Sequence, residues 1–380
     1  MKNEIMADNP LGQLEKRGQS LWLDYIRRDF IMNGELHRLI VEDGVRGITS
    51  NPSIFEKAVV DSREYDEAIR SMANTGMNVR AIYDAISRRD VQMAADEFRP
   101  VYDRTAGKDG YVSLEVSPLL AHDTDGTIEE ARRLWSSLDR PNVLIKVPGT
   151  IEGLPAVTQL IREGINVNVT LLFGLPRYRQ VAEAYIEGLE ARLADGNAIN
   201  RVASVASFFL SRIDALVDML LADIIDRDSA DRNIARQLHG QVAIASAQKA
   251  YRIFKEVFHH DRFSMLMEKG ARPQRLLWAS TGTKNPDYSD VKYVEDVIGP
   301  DTVNTIPMET LNAFRDHGDI KNRLEHDPQL ADWILSRLPD MGINIDSIAQ
   351  QLEDEGVGKF CEHYDRLMKT LERRSSAYRL

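Results

Sequence analysis

One cysteine, Cys361, stands in a chain of 380 residues, so no internal disulfide can form and zinc sites built from several cysteines are excluded. Basic residues are the minority, 48 Lys and Arg against 59 Asp and Glu, for a net charge of -11. That balance argues against nucleic acid as a partner, because phosphate backbones are held by a surplus of cations. Long apolar runs are missing too. The longest stretch free of Asp, Glu, Lys and Arg is Gly164 to Pro176, 13 residues, against the roughly 20 that cross a bilayer, so no membrane partner is expected. Met1-Lys2-Asn3-Glu4 has no basic n-region leading into an apolar h-region. Together with the lone cysteine, this makes a reducing cytoplasm the expected compartment. Among eight His the best spacing is the adjacent His259-His260, which reads as a helix-surface pair and not as metal ligands. Segments rich in Pro, Gly and Ser are absent as well, so residues 1–380 read as one domain.

What is present is a repeating unit of a short apolar or β-branched strand followed by a long amphipathic stretch. Eight strands are expected: Leu21 to Ile26, Gly47 to Asn51, Tyr111 to Val116, Asn142 to Val147, Asn166 to Leu171, Ala203 to Ser207, Arg275 to Ala279 and Thr302 to Thr305. Thr127-Ile128-Glu129-Glu130 reads as a capping box that opens a helix through Leu138. Eight strands alternating with helices fit an α/β fold, the (β/α)8 TIM barrel, which needs roughly 250 residues. The surplus falls in three places, 52–110, 208–273 and 306–380, where additional helices are expected. An open doubly wound sheet competes, but the G-x-G-x-x-G turn after its first strand, and with it a dinucleotide cofactor, has no match here.

Parallel strands buried on both faces should be nearly continuous Val, Ile and Leu, and several of these are not. In Tyr111-Val112-Ser113-Leu114-Glu115-Val116 a period of two puts Ser113 and Glu115 on the face away from Val112, Leu114 and Val116. The same alternation separates Lys146 from Val143, Ile145 and Val147, and Asn166, Asn168 and Thr170 from Val167, Val169 and Leu171. Asp24, Thr49, Asn51 and Ser207 join the inward set from the first, second and sixth strands. An amine, two carboxylates, amides and hydroxyls are costly inside a barrel unless they satisfy one another or meet a ligand. They also crowd toward the strands' C-terminal ends, where barrel enzymes build their sites. An amine among apolar residues is driven toward its neutral, nucleophilic form. With no metal or cofactor pattern, its use is a Schiff base with a carbonyl substrate.

Three segments carry a resemblance: Gly47-Ile48-Thr49-Ser50-Asn51-Pro52-Ser53-Ile54-Phe55, Val143-Leu144-Ile145-Lys146-Val147-Pro148 and Ile165-Asn166-Val167-Asn168-Val169-Thr170-Leu171-Leu172-Phe173. With Ser207-Phe208-Phe209-Leu210-Ser211-Arg212 they resemble the transaldolase family in order and spacing. Ala279-Ser280-Thr281-Gly282-Thr283-Lys284-Asn285-Pro286 is similar to its longer bacterial branch. The resemblance implies transfer of a dihydroxyacetone unit between sugar phosphates, without a cofactor, in the pentose phosphate pathway. It makes Lys146 the Schiff-base lysine and Asp24 the acid/base at carbon–carbon cleavage, with Glu115 and Thr170 handling water during imine formation. Thr49 belongs to the substrate-binding set, Asn51 and Asn168 would hold substrate hydroxyls, and Ser207 with Arg212 the phosphate. Lys284 stands where many relatives have a second phosphate-binding Arg. It supplies charge but no bidentate fork.

The resemblance leaves two rivals, a lyase that releases free dihydroxyacetone from fructose 6-phosphate and a sugar-phosphate-binding barrel without catalysis. The lyases of the family are much shorter chains, and no amine or acid/base is missing here. Monomer and homodimer are both left open. Other signals carry less. Asn168-Val169-Thr170 fits a glycosylation pattern only by chance, inside a strand. His122-Asp123-Thr124-Asp125-Gly126 reads as a turn and helix cap, since the twelfth position counted from Asp123 is Leu134 and not the Glu of a calcium loop. Met265 and Met267 read as helix packing, and Trp22 as filling of the barrel floor.

Overall fold

A computed structural model describes residues 9–227 and 231–378, so the Met1 to Glu4 segment lies outside the described residues. Its centre is a closed, all-parallel barrel of eight strands in sequence order. They are β1 (Gln19–Asp24), β2 (Gly47–Thr49), β3 (Tyr111–Glu115), β4 (Val143–Pro148), β5 (Val167–Leu172), β6 (Ser204–Phe209), β7 (Arg275–Ala279) and β8 (Thr302–Ile306). β1 also pairs with β8, which closes the ring. All eight expected strands are present, β7 with the expected bounds and the other seven with ends shifted by one or two residues. β2 stops at Thr49 because Asn51 leaves the sheet to cap α1 (Pro52–Val60), accepting from the backbone N–H groups of Ser53 and Ile54. Pro52 at the first turn suits that junction, since it holds the residue before it extended.

Each of the three long insertions contains extra helices: α1 and α2 (Val79–Arg104) in the first, α5 (Ser211–Asp226) in the second and α6 (Ile345–Tyr378) in the third, while α3 (Thr124–Leu138) and α4 (Leu175–Ala194) follow β3 and β5 outside them. Two expectations need correcting. α3 does not open on a capping box at Thr127: Asp123 caps it by accepting from Gly126 N–H, so it starts one turn earlier. Thr127 instead donates to Leu120 O, and Glu130 accepts from Ser117 N–H, so both side chains tie the helix to the preceding loop. Met265 and Met267 are exposed, whereas Phe263 beside them packs into the core.

The barrel floor holds a polar cluster centred on Asp109. Asp109 accepts from Ser20 Oγ (2.7 Å), Trp22 Nε1 (3.2 Å) and Arg275 Nη2 (2.9 Å). Trp22 is fully buried against Gly47, where any Cβ would fall 2.7 Å from the indole ring. Trp22 is therefore packing at the floor, and the inward polar residues of the sequence gather at the opposite, open end of the barrel.

Across that open end runs α6, a helix of 34 residues. Ile348, Leu352, Gly356, Phe360, Tyr364, Leu367, Leu371 and Ser375 are buried, at steps of four and three that keep them on one face. Its start is fixed by Asn344, whose Oδ1 accepts from the N–H groups of Asp346 and Ser347. Beneath it β5 carries a bulge between Val169 and Leu172. Leu171 sits there at φ +62°, a left-handed conformation rare for a branched side chain. Its Cδ2 lies where a Cβ at Gly356 would come within 3.0 Å, so Leu171 meets α6 instead of the helices outside β5.

Candidate active site

Register decides which polar side chains become neighbours. Asp24 pairs with Thr49, Glu115 with Lys146 and Lys146 with Asn168 across adjacent strands, which brings groups far apart in sequence onto adjoining turns of one wall. They surround a cavity of about 420 Å³ at the C-terminal end of the barrel. Of the residues expected at the site, Asp24, Thr49, Asn51, Lys146, Thr170, Ser207, Arg212 and Lys284 all line it.

Lys146 is buried, and its Nζ donates to the Ser50 carbonyl at 3.2 Å and lies 3.4 Å from Glu115 Oε2. Glu115 stands behind it and is not part of the cavity wall. Both Glu115 carboxylate oxygens and the Thr170 hydroxyl are buried without a hydrogen-bond partner among the described residues. Such groups are expensive to hold in reserve. Burial pushes the Glu115 carboxyl up to about 7, although the Lys146 charge pulls the other way. Burial also raises the Asp24 carboxyl, against the opposing pull of Lys146, of a hydrogen bond from Thr49 Oγ1 (2.7 Å), and of Arg212 and Lys284. Two carboxyls with raised proton affinity flank one amine, which is the pattern of groups that carry protons in a reaction.

Asn168 is one layer deeper than expected and not in the cavity wall. Its Oδ1 accepts from Ser207 Oγ (2.7 Å) and its Nδ2 donates to Ser113 Oγ (3.1 Å). The Ser207 proton is thereby spent inward, leaving its oxygen as an acceptor at the wall. Asn51 uses Oδ1 to cap α1, while its Nδ2 makes no hydrogen bond among the described residues.

The far end of the cavity is cationic. Arg212, in the first turn of α5, is mostly buried over the Phe209 ring (5.6 Å), and its Nη1 has no hydrogen-bond partner among the described residues. Neither nearby carboxylate takes it: Asp214 is held by Tyr293, Lys292 and Ala243 N–H, and Asp218 by Tyr288 and Gly240 N–H. The N-terminus of α5 adds its own positive field there. Lys284 comes from the loop after β7, whose Tyr288 anchors it by donating to Asp218 Oδ2 at 2.7 Å.

Sequence reading overlooked Thr305, whose hydroxyl lies 2.7 Å from Thr49 Oγ1, Ser280 at φ +53°, and Phe360, whose ring centre is 5.9 Å from Lys146 Nζ. Thr305 ends an expected strand in the inward register and could have been found. Phe360 could not, because it sits on α6, 214 positions from Lys146 in sequence. Among the described residues no cluster of His, Cys, Asp and Glu could hold a metal ion, and no helix is long and apolar enough to cross a membrane.

Known proteins place the chain in a family. A model of the "Transaldolase/Fructose-6-phosphate aldolase" family matches residues 21–371. A transaldolase from Trichodesmium erythraeum is 48% identical over 371 residues, covering 97% of this chain and 98% of that one. "Transaldolase 2" of Nostoc punctiforme is 45% identical over 372 residues, with 97% and 98% covered. A transaldolase from Thiobacillus denitrificans is 46% identical over 355 residues, 93% of this chain and 97% of its own. With an inward lysine between two carboxyls, a cationic far end and relatives of this closeness along nearly its whole length, the chain belongs to the transaldolase/fructose-6-phosphate aldolase family.

Proposed function

We propose that the chain acts as a transaldolase, moving a dihydroxyacetone unit from sedoheptulose 7-phosphate to glyceraldehyde 3-phosphate and giving erythrose 4-phosphate and fructose 6-phosphate. The site belongs with the cytoplasmic, non-oxidative pentose phosphate reactions. The observation that carries the reading is Lys146 Nζ, buried at the cavity wall 3.4 Å from the Glu115 carboxyl, which burial pushes up to about 7.

In this reading the Lys146 amine adds to the donor's C2 carbonyl to give a carbinolamine. Glu115 and Thr170, both with unused hydrogen-bonding capacity, move the protons that let its hydroxyl leave as water. The imine draws electrons as the C3–C4 bond breaks, while Asp24 takes the proton of the C4 hydroxyl and the first aldehyde departs. The three-carbon unit stays on Lys146 as the enamine. The second aldehyde arrives, Asp24 returns the proton as the new bond forms, and water releases the product. Asn51 Nδ2 is free to hold a substrate hydroxyl, and Asn168 acts from behind the wall by orienting Ser207. Arg212 and Lys284 hold the phosphate, whose charge suits the orphaned Nη1.

Borohydride treatment in the presence of fructose 6-phosphate, followed by peptide mass mapping, tests this. The expected adduct is a reduced dihydroxyacetone unit on the Lys146 ε-nitrogen. An adduct on Lys284, or an active enzyme that is never labelled, overturns it.

A further inference from the structure

Transfer differs from cleavage in what happens while no aldehyde is in the site. The three-carbon unit must wait on the lysine until an acceptor arrives. Escape takes two steps: a proton adds to the carbon that lost the first aldehyde, converting enamine to imine, and water then adds to the imine carbon. The resulting carbinolamine breaks its C–N bond, its hydroxyl proton passes to nitrogen, and free dihydroxyacetone leaves the amine behind. Nothing is oxidised, and the proton can come from Asp24, which took it from the departing aldehyde. The only co-reactant is solvent water, so the lifetime of the waiting unit depends on what covers it.

Phe360 covers it. It is buried, lines the cavity, and its ring centre lies 5.9 Å from Lys146 Nζ. At that distance the ring also faces the cationic nitrogen of the imine. It reaches the site from α6, outside the barrel strands that supply the proton-carrying groups.

The helix is fastened at intervals along its length. Glu353 pairs with Arg177 at 3.0 Å, both side chains nearly buried. On the opposite side of Phe360, His363 Nδ1 lies 2.5 Å from Glu56 on α1 and Arg366 pairs with the same carboxylate at 2.8 Å. Further along, Arg374 reaches Asp66 at 3.1 Å and the Ser62 carbonyl at 3.0 Å. Gly356, one turn before Phe360, lets α6 settle on Leu171, which the β5 bulge turns up to meet it. The bulge, the glycine and the ion pairs share one result: a phenyl ring held fixed above the nucleophile.

We infer that Phe360 is a specificity-determining residue, whose ring keeps solvent from the three-carbon enamine on Lys146 while no aldehyde is bound and so commits that unit to an aldehyde acceptor. The inference rests on the Schiff-base reading of Lys146.

The test uses the full-length protein and its Phe360→Ala and Phe360→Leu variants with fructose 6-phosphate. Free dihydroxyacetone is measured without acceptor, transfer is measured with erythrose 4-phosphate, and borohydride adducts are mapped in parallel. The ratio of release to transfer should rise about tenfold or more in Phe360→Ala, a change of about 1.4 kcal/mol in relative barriers. It should rise less in Phe360→Leu, with the adduct still on Lys146. A ratio unchanged within about twofold in a variant that still forms the adduct overturns the inference; Phe360→Leu decides it if the alanine variant does not fold. Absence of a Lys146 adduct in the parent enzyme overturns the Schiff-base reading itself, and the inference with it.

Discussion

Glu115 Oε2 stands 3.4 Å from Lys146 Nζ, close enough to attract as ions but not aligned as a hydrogen bond, and neither Glu115 oxygen has another partner among the described residues. A carboxyl so placed, titrating near 7, can give a proton to the leaving hydroxyl of the carbinolamine only while it still holds one. Its protonated fraction falls as pH rises through that value. Single-turnover imine formation, followed by rapid borohydride quench, should therefore decline between about pH 7 and pH 8.5 in the parent enzyme. Glu115→Gln should be slower by about 10² to 10⁴ and lose the decline. A decline that survives the substitution assigns it to another group.

Asp24 should act later. Asp24→Asn keeps a hydrogen-bonding partner for Thr49 but cannot take the C4 proton, so imine should form and accumulate while turnover falls by about 10² to 10⁴. Rapid trapping that shows Asp24→Asn slow to form imine and Glu115→Gln fast would reverse the two roles.

Arg212→Ala should raise KM for phosphorylated donors by about 10- to 150-fold, the worth of a charge-assisted bond of roughly 1.5 to 3 kcal/mol. Unphosphorylated fructose should react, if at all, nearly as in the parent. Equal losses on both sugars would mean that Arg212 supports the rim and does not read the phosphate.

The barrel and most of this site are legible in the sequence because both follow from a period of two. Once Val143, Ile145 and Val147 face the helices, Lys146 must face the interior. Alternation fails where the chain stops being a strand. Leu171 should face outward, but the bulge turns it up to Gly356. Asn168 shares the inward register of Thr170, yet depth along the barrel axis separates a buried amide from a cavity wall, and no one-dimensional pattern encodes depth. Thr127 and Glu130 have the spacing of a capping box but are drawn to Leu120 and Ser117, partners that only the folded loop supplies.

Tyr288 should matter to the phosphate without touching it. Its hydroxyl donates to Asp218 and lies 2.8 Å from His239 Nδ1, pinning the loop that carries Lys284. Tyr288→Phe removes a bond worth roughly 0.5 to 1.5 kcal/mol, so KM for fructose 6-phosphate should rise by about 2- to 10-fold. The kcat should stay within about twofold. A fall in kcat at constant KM would show that the loop serves chemistry and not phosphate binding.

At the floor, Asp109→Ala should destabilise by about 3 to 5 kcal/mol, because it leaves the Arg275 charge buried and unpaired. Asp109→Ala with Arg275→Met should cost clearly less than Asp109→Ala alone. Urea unfolding of the three proteins measures this, and a double variant weaker than the single would show that Arg275 earns its place through other bonds, such as those to Ser20 and the Lys108 carbonyl.

The placement of α6 also sets an order of events during synthesis. Lys146 leaves the ribosome more than 150 residues before β8 can close the ring on β1, and more than 190 before α6 begins. Until then the nascent chain carries Lys146 without the closed barrel wall and without its aromatic cover. The cavity is therefore completed late and in steps, when the ring closes and a helix far downstream then settles over a lysine made long before.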